Sequence, residues 1–139
     1  MSFTDAELSY LASQRIGRLA TAQPNGTLQV NPVGFRYNAD TGTIDIGGYN
    51  MAASRKFRNV AANGRVAFVV DDVYSTDPWR VRMVEIRGDA EALADPADGQ
   101  APIGGPIIRV HPRRIISFGL QSGDMDQEPH TLKAFTRNV

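Results

Sequence analysis

The sequence predicts a mainly β domain of the α+β type: a largely antiparallel barrel of about six strands, with two or three short helices packed outside it. Two observations point there. Alternating and β-branched runs recur along the 139 residues, and Gly, Pro and Asn clusters join most of them as hairpins. One helical stretch, with Ala53, Phe57, Val60 and Ala61 on one face, stands between two strands as a crossover.

Thr4 and Glu7 form a capping box, and Leu8, Leu11 and Ala12 follow at helical spacing. A first helix is expected over Asp5–Ser13. Ile16–Ala22 reads as a strand, and Pro24-Asn25-Gly26 turns it into a second strand over residues 27–37. Pro32 lies inside that strand. It implies an edge, a bulge or a break, because proline cannot donate to a ladder. A further turn, 38–42, leads into a strand at 43–47 and a glycine pair. Asn50 is the expected cap of the central helix, and Asn63-Gly64 ends it.

Residues 65–70 are dense in β-branched side chains and read as a buried strand; 71–78 read as a polar loop. Residues 80–93 alternate, with Val84, Ile86, Gly88 and Ala90 on one face and Glu85, Arg87, Asp89 and Glu91 on the other. The same parity puts Arg80 and Arg82 on the apolar side, where a cation needs a partner or a ligand. A bulge near residue 83 would instead return them to solvent. A loop over 95–106, a last strand over 107–120 interrupted near Pro112, and a short helix over 131–135 in a weakly patterned tail complete the reading.

Length and composition bound the function. Residues 1–139 suffice for one domain with a real core, without a boundary or repeat. Formal net charge is zero, which implies no general affinity for nucleic acid or anionic membrane. There is no cysteine, hence no disulfide frame and no thiolate chemistry. Neither a signal peptide nor a long apolar run is present, so the cytoplasm is the expected compartment. The charge is nevertheless uneven. No acid lies between Asp45 and Asp71, where Arg55, Lys56, Arg58 and Arg65 stand, nor between Asp98 and Asp124, where Arg109, Arg113 and Arg114 stand. Two basic zones in a neutral chain favour a discrete anionic ligand.

The first zone coincides with the start of the central helix. Cations there oppose the helix dipole, which prefers acids at its N-terminus. A bound phosphate would reconcile them, since it would meet free N–H groups, the positive helix end and the cations together. A solvated basic face is the alternative reading.

These residues carry a resemblance. Tyr49-Asn50 followed by Ser54-Arg55-Lys56 resembles the phosphate-binding segment of the pyridoxamine 5′-phosphate oxidase-like split β-barrel flavoproteins. The stretches Val30-Asn31-Pro32-Val33-Gly34-Phe35, Asn63-Gly64-Arg65-Val66-Ala67, Glu85-Ile86-Arg87-Gly88-Asp89 and Ile108-Arg109-Val110-His111-Pro112 resemble its actinobacterial members. The resemblance implies a six-stranded split barrel and a homodimer with cofactor at the interface. The cofactor would be the deazaflavin coenzyme F420, or FMN in the alternative. It also implies that Ser54, Arg55 and Lys56 hold phosphate, that Tyr49 and Asn50 support it, and that Asn31, Pro32, Val33 and Gly34 lie along the ring through backbone groups. Trp79 and Arg80 join the expected site, although a lone Trp before a strand also suits core or interface packing. The oxidase itself carries an Arg and a Lys on the second strand, where this chain has Asn31, Pro32 and Arg36. That departure, with no recognisable clamp for a substrate phosphate, favours the deazaflavin branch.

The implied activity is hydride transfer from reduced F420 to an unsaturated or carbonyl small molecule, or a binding role without turnover. No catalytic residue is identified; Tyr49, Tyr74 and His111 are candidate proton donors. His111 reads as structural and His130 as solvated, and no His pair has metal-ligand spacing. Asp71-Asp72 and Asp124 with Asp126 read as solvated loop acids. Gly104-Gly105-Pro106 reads as a turn, since no helix pattern follows it.

Overall fold

The computed structural model describes residues 2–96 and 105–139. Its elements are α1 (Asp5–Ser13), β1 (Ile16–Ala22), β2 (Leu28–Gly34), β3 (Arg36–Asn38), β4 (Thr43–Ile46), α2 (Arg55–Ala62), β5 (Arg65–Thr76), β6 (Trp79–Leu93), β7 (Ile107–Phe118) and β8 (Phe135–Asn138). The strands form one antiparallel sheet in the order β2-β1-β5-β6-β7-β4-β3, with β8 also paired to β7. β2 and β3 stand at opposite ends of that order, yet only Phe35 separates them in the chain. The sheet must therefore curl until its ends meet. This is the split barrel, with eight strands among the described residues and not six.

The difference in count has local causes. The second strand breaks at Phe35 into β2 and β3, both edges, as Pro32 foreshadowed. The tail adds β8, where a short helix was expected over 131–135; two 3-10 turns, Asp124–Asp126 and Pro129–Thr131, precede it among the described residues. Residues 71–76 continue β5 instead of looping. Asp72 there is held by Arg82 across the hairpin, and Asp71 by Arg18, so the polar side chains are partners of neighbouring strands. Most of the loop expected over 95–106, including Gly104, lies outside the described residues.

Inside the barrel, alternate residues of the long strands meet: Leu19, Phe68, Val84, Ile86 and Ile115 are buried. Each such side chain contributes about 1.5–3 kcal/mol through loss of water contact. The face Val84, Ile86 and Ala90 is buried as its alternation implied. The two tightest glycine sites among the described residues are Gly17 and Gly88. A Cβ on Gly17 would lie 2.3 Å from the Phe68 ring, and one on Gly88 would lie 2.1 Å from the His111 carbonyl oxygen. Gly88 pairs with Pro112 where the β6–β7 register shifts, so β7 bends at its proline without ending.

Two buried carboxylates are held by arginines. Asp45 accepts from Arg109 Nε and Nη2 at 3.1 and 3.0 Å, from Asn38 and from Thr43. Glu7, on α1, accepts from both Nη groups of Arg137 on β8, from Ser117 and from the Thr4 N–H. Burial pushes both carboxyls up, but the arginines and the other donors outweigh it and hold both below their ordinary values of 4.5 for Glu7 and 3.8 for Asp45. A lowered carboxyl stabilises the fold above its unfolded-state value, and that contribution is lost as pH falls through the folded value. The unfolding temperature should hold steady from pH 7 to about 5 and then decline below about pH 4, which a calorimetric pH series checks.

Candidate functional site

The loop from β4 to α2 carries the first basic zone. A 3-10 turn over Met51–Ala53 follows Asn50, and α2 begins one turn later than expected. Asn50 adopts the left-handed conformation, φ 54°, and makes no side-chain cap bond. Ser54 is the cap instead. Its Oγ accepts from the Phe57 N–H at 3.2 Å and donates to the Met51 carbonyl at 2.6 Å. The serine hydroxyl proton is thus committed to shaping the turn. The N–H groups of Arg55 and Lys56, the first two helical residues, find no acceptor among the described residues. Nor does any described carboxylate pair with Arg55, Lys56 or Arg58. Two open N–H groups and unpaired cations on the positive end of a helix make a fitting cradle for an anion.

The helix sits where it does because Phe57, Val60 and Asn59 face the barrel; Ala53 and Ala61, expected on that face, are exposed. Asn59 was missed by apolar periodicity because it is polar. It is buried, and its Nδ2 donates to Thr21 Oγ1 of β1 at 3.0 Å, while its Oδ1 has no partner among the described residues. The Asn63 N–H closes the helix on the Asn59 carbonyl, as the Asn-Gly pair implied.

On β2, Val33 is buried in the core, Asn31 is half-buried and accepts from Gln29, and Pro32 and Gly34 are exposed. No strand flanks the outer side of β2 in the sheet order, so its backbone groups on that side are open to a ligand. Tyr49 is 92% exposed. Trp79, 60% exposed, and Arg80 lie at the far end of β6. The end of α2 meets the other end of β6, where the Ala90 N–H donates to Gly64 O at 2.7 Å. The twelve strand residues from Trp79 to Ala90 span roughly 35 Å, whereas α2 is only about 12 Å long. One chain therefore brings Tyr49, Asn50, Ser54, Arg55 and Lys56 together but leaves Trp79 and Arg80 apart from them.

Of the inward-parity arginines, Arg82 has its partner. It makes two hydrogen bonds to Asp72, at 3.0 and 2.6 Å, and lies between the rings of Tyr10 and Tyr74, about 5 Å from each centroid. The Tyr10 hydroxyl donates to Asp72. Burial and the Asp72 carboxylate push this phenol well up, so it stays neutral. Among the described residues Arg80 reaches only the Asp124 carbonyl, at 3.5 Å. Tyr74 is thereby engaged with Arg82, and His111 contacts Glu91 at 2.6 Å across the β6–β7 pair. The second basic zone divides. Arg109 is held by Asp45, while Arg113 and Arg114 join Arg65 and Arg87 around an open cavity of about 780 Å³ beneath the β1–β2 turn. Asp89 holds Arg113, and Glu85 holds Arg87.

The family model for pyridoxamine 5′-phosphate oxidase matches residues 3–115. The chain is 47% identical over 131 residues to a 5a,11a-dehydrotetracycline/5a,11a-dehydrooxytetracycline reductase of Streptomyces rimosus, covering 94% of this chain and 92% of the relative. Among solved structures, a conserved hypothetical protein of Mycobacterium tuberculosis superposes with a TM-score of 0.69 at 22% identity, over 92% of this chain and 91% of the other. A protein described as an F420 reductase superposes with a TM-score of 0.52 at 28% identity, over 70% and 86% of the two chains.

Proposed function

The chain belongs to the pyridoxamine 5′-phosphate oxidase family, and on that premise we propose that it is an F420-dependent reductase of an unsaturated or carbonyl small molecule. The observation that carries the reading is the reductase relative, which matches nearly the whole chain. The likeness to an F420 reductase supports the choice of cofactor, and FMN is the alternative that the same phosphate cradle would accept. When bound, the reduced deazaflavin supplies a hydride to one end of the acceptor's double bond, and a proton completes the other end.

The chain's own residues bind and orient. Arg55 and Lys56 hold the phosphate with their side chains and open N–H groups. Ser54 and Asn50 set the turn that aims those groups. Tyr49 supports the phosphate from the loop. The open edge of β2, from Asn31 to Gly34, lies along the ring and fixes it through the backbone. Trp79 and Arg80 cannot reach that cradle from the same chain, so they complete the site across a homodimer interface. The outer sheet face supports this, since Leu28 and Val30, the latter beside Ala20 and Ala67, are exposed apolar side chains there. Residues 1–139 act as one cofactor-binding domain. No helix among the described residues is long and apolar enough to cross a membrane.

Side-by-side titration with F420 and FMN tests the cofactor. Tighter binding of F420 is expected, with two cofactors per dimer from the titration end-point and a dimer by light scattering. Tighter FMN binding, with flavin copurifying, would overturn the deazaflavin choice.

A further inference from the structure

The chain beyond residue 115 lies outside the family match, yet it walls a groove. Trp79 and Val81 of β6 form one side. Phe118, Glu128, His130 and Leu132 form the other, where the tail turns back toward β8. The groove encloses about 460 Å³, within the range that takes a drug-sized ligand. We propose that it seats the electron acceptor, and that the acceptor is a fused-ring molecule carrying a basic amine; the acceptor role rests on the reductase reading above.

Two features select that class, and two more relate it to the cofactor site. Most of the lining is apolar, with an indole whose surface is 60% exposed and open to stacking by a flat ring system. Glu128 is exposed and makes no ion pair among the described residues. An unpaired carboxylate beside an apolar surface attracts an ammonium group and repels phosphate and carboxylate ligands. This charge is opposite to that of the cofactor cradle at α2, so the two sites discriminate between their ligands by sign. Finally, Trp79 belongs to both the groove and the residues expected at the ring across the dimer. An acceptor in the groove therefore lies beside the ring without competing for the phosphate cradle.

Trp79 is the only tryptophan, so its fluorescence reports the groove directly. The probe is 5a,11a-dehydrotetracycline, whose four fused rings and dimethylamino group place it in the class. The same ring system without the amine is the control. With cofactor-loaded protein, saturable quenching is expected. Leu132→Asn should weaken it about tenfold through loss of apolar contact, and Glu128→Gln about three- to tenfold, with F420 affinity unchanged in both. Glu128→Gln should leave the amine-free control unaffected. Quenching that neither variant moves would overturn the groove assignment. So would a Leu132→Asn protein that dissociates from dimer to monomer while binding the probe normally, because a second copy would then cover the groove. Saturable, variant-sensitive binding without turnover would uphold the site and reject the reductase reading.

Discussion

Replacement of Lys56 by Ala should weaken cofactor binding by about one to two decades, while the empty protein keeps or slightly gains stability. The first half follows from charge-assisted hydrogen bonding to phosphate, worth roughly 1.5–3 kcal/mol against about 1.4 kcal/mol per decade of affinity. The second half follows from the position of Lys56. It is the second residue of α2, has no carboxylate partner among the described residues, and faces the positive end of its own helix. Arg58 is the internal control. It lies about 200° around the axis from Lys56, so both cannot aim at one phosphate, and Arg58→Ala should be milder. Isothermal titration of the wild type and both variants separates the outcomes. Equal affinities in all three would remove the anion site from α2 and, with it, the physical support for a phosphate-bearing cofactor.

The cations of that cradle were legible in the sequence, because a run without acids is visible without a fold. The detail of the turn was not. Both Asn50 and Ser54 are good capping residues, and only the 3-10 turn between them, closed by Ser54 Oγ on the Met51 carbonyl, decides for the serine. The first helix and strand were found within their observed bounds because a capping box and a Pro-Asn-Gly turn are local signals. Residues 71–76 read as loop in the sequence because their polar side chains are satisfied by residues distant in the chain: Arg18 for Asp71, and Arg82 and Tyr10 for Asp72. β8 is illegible in the sequence for the same reason. Its alternation is slight, and what holds it is a pairing with β7 and one buried ion pair to α1. Parity did place Arg82 on the inner side, and the partner it then required was found.

That ion pair sets the largest expected effect on stability. Arg137→Met should destabilise the fold by about 3–5 kcal/mol, since it strands a buried carboxylate. Glu7 is 1% exposed, and the guanidinium provides two of its four hydrogen bonds, at 2.9 and 2.6 Å. Without Arg137, burial is no longer outweighed, and the Glu7 carboxyl should rise above its ordinary value and protonate more readily. The decline in stability at acid pH should therefore flatten in this variant, because less of the contribution remains to be lost. The double variant Glu7→Gln, Arg137→Met removes both charges together. It should be more stable than the sum of the single effects implies, with a coupling of up to about 3 kcal/mol in a urea-unfolding cycle. The consequence reaches the groove. β8 anchors the tail that carries Glu128 and Leu132, so Arg137→Met should also weaken quenching of Trp79 by the fused-ring probe, while the cradle on α2 binds cofactor as before. A loss of less than about 1 kcal/mol on Arg137→Met would mean that the pair is a solvated surface contact and that the tail is held by its strand pairing alone.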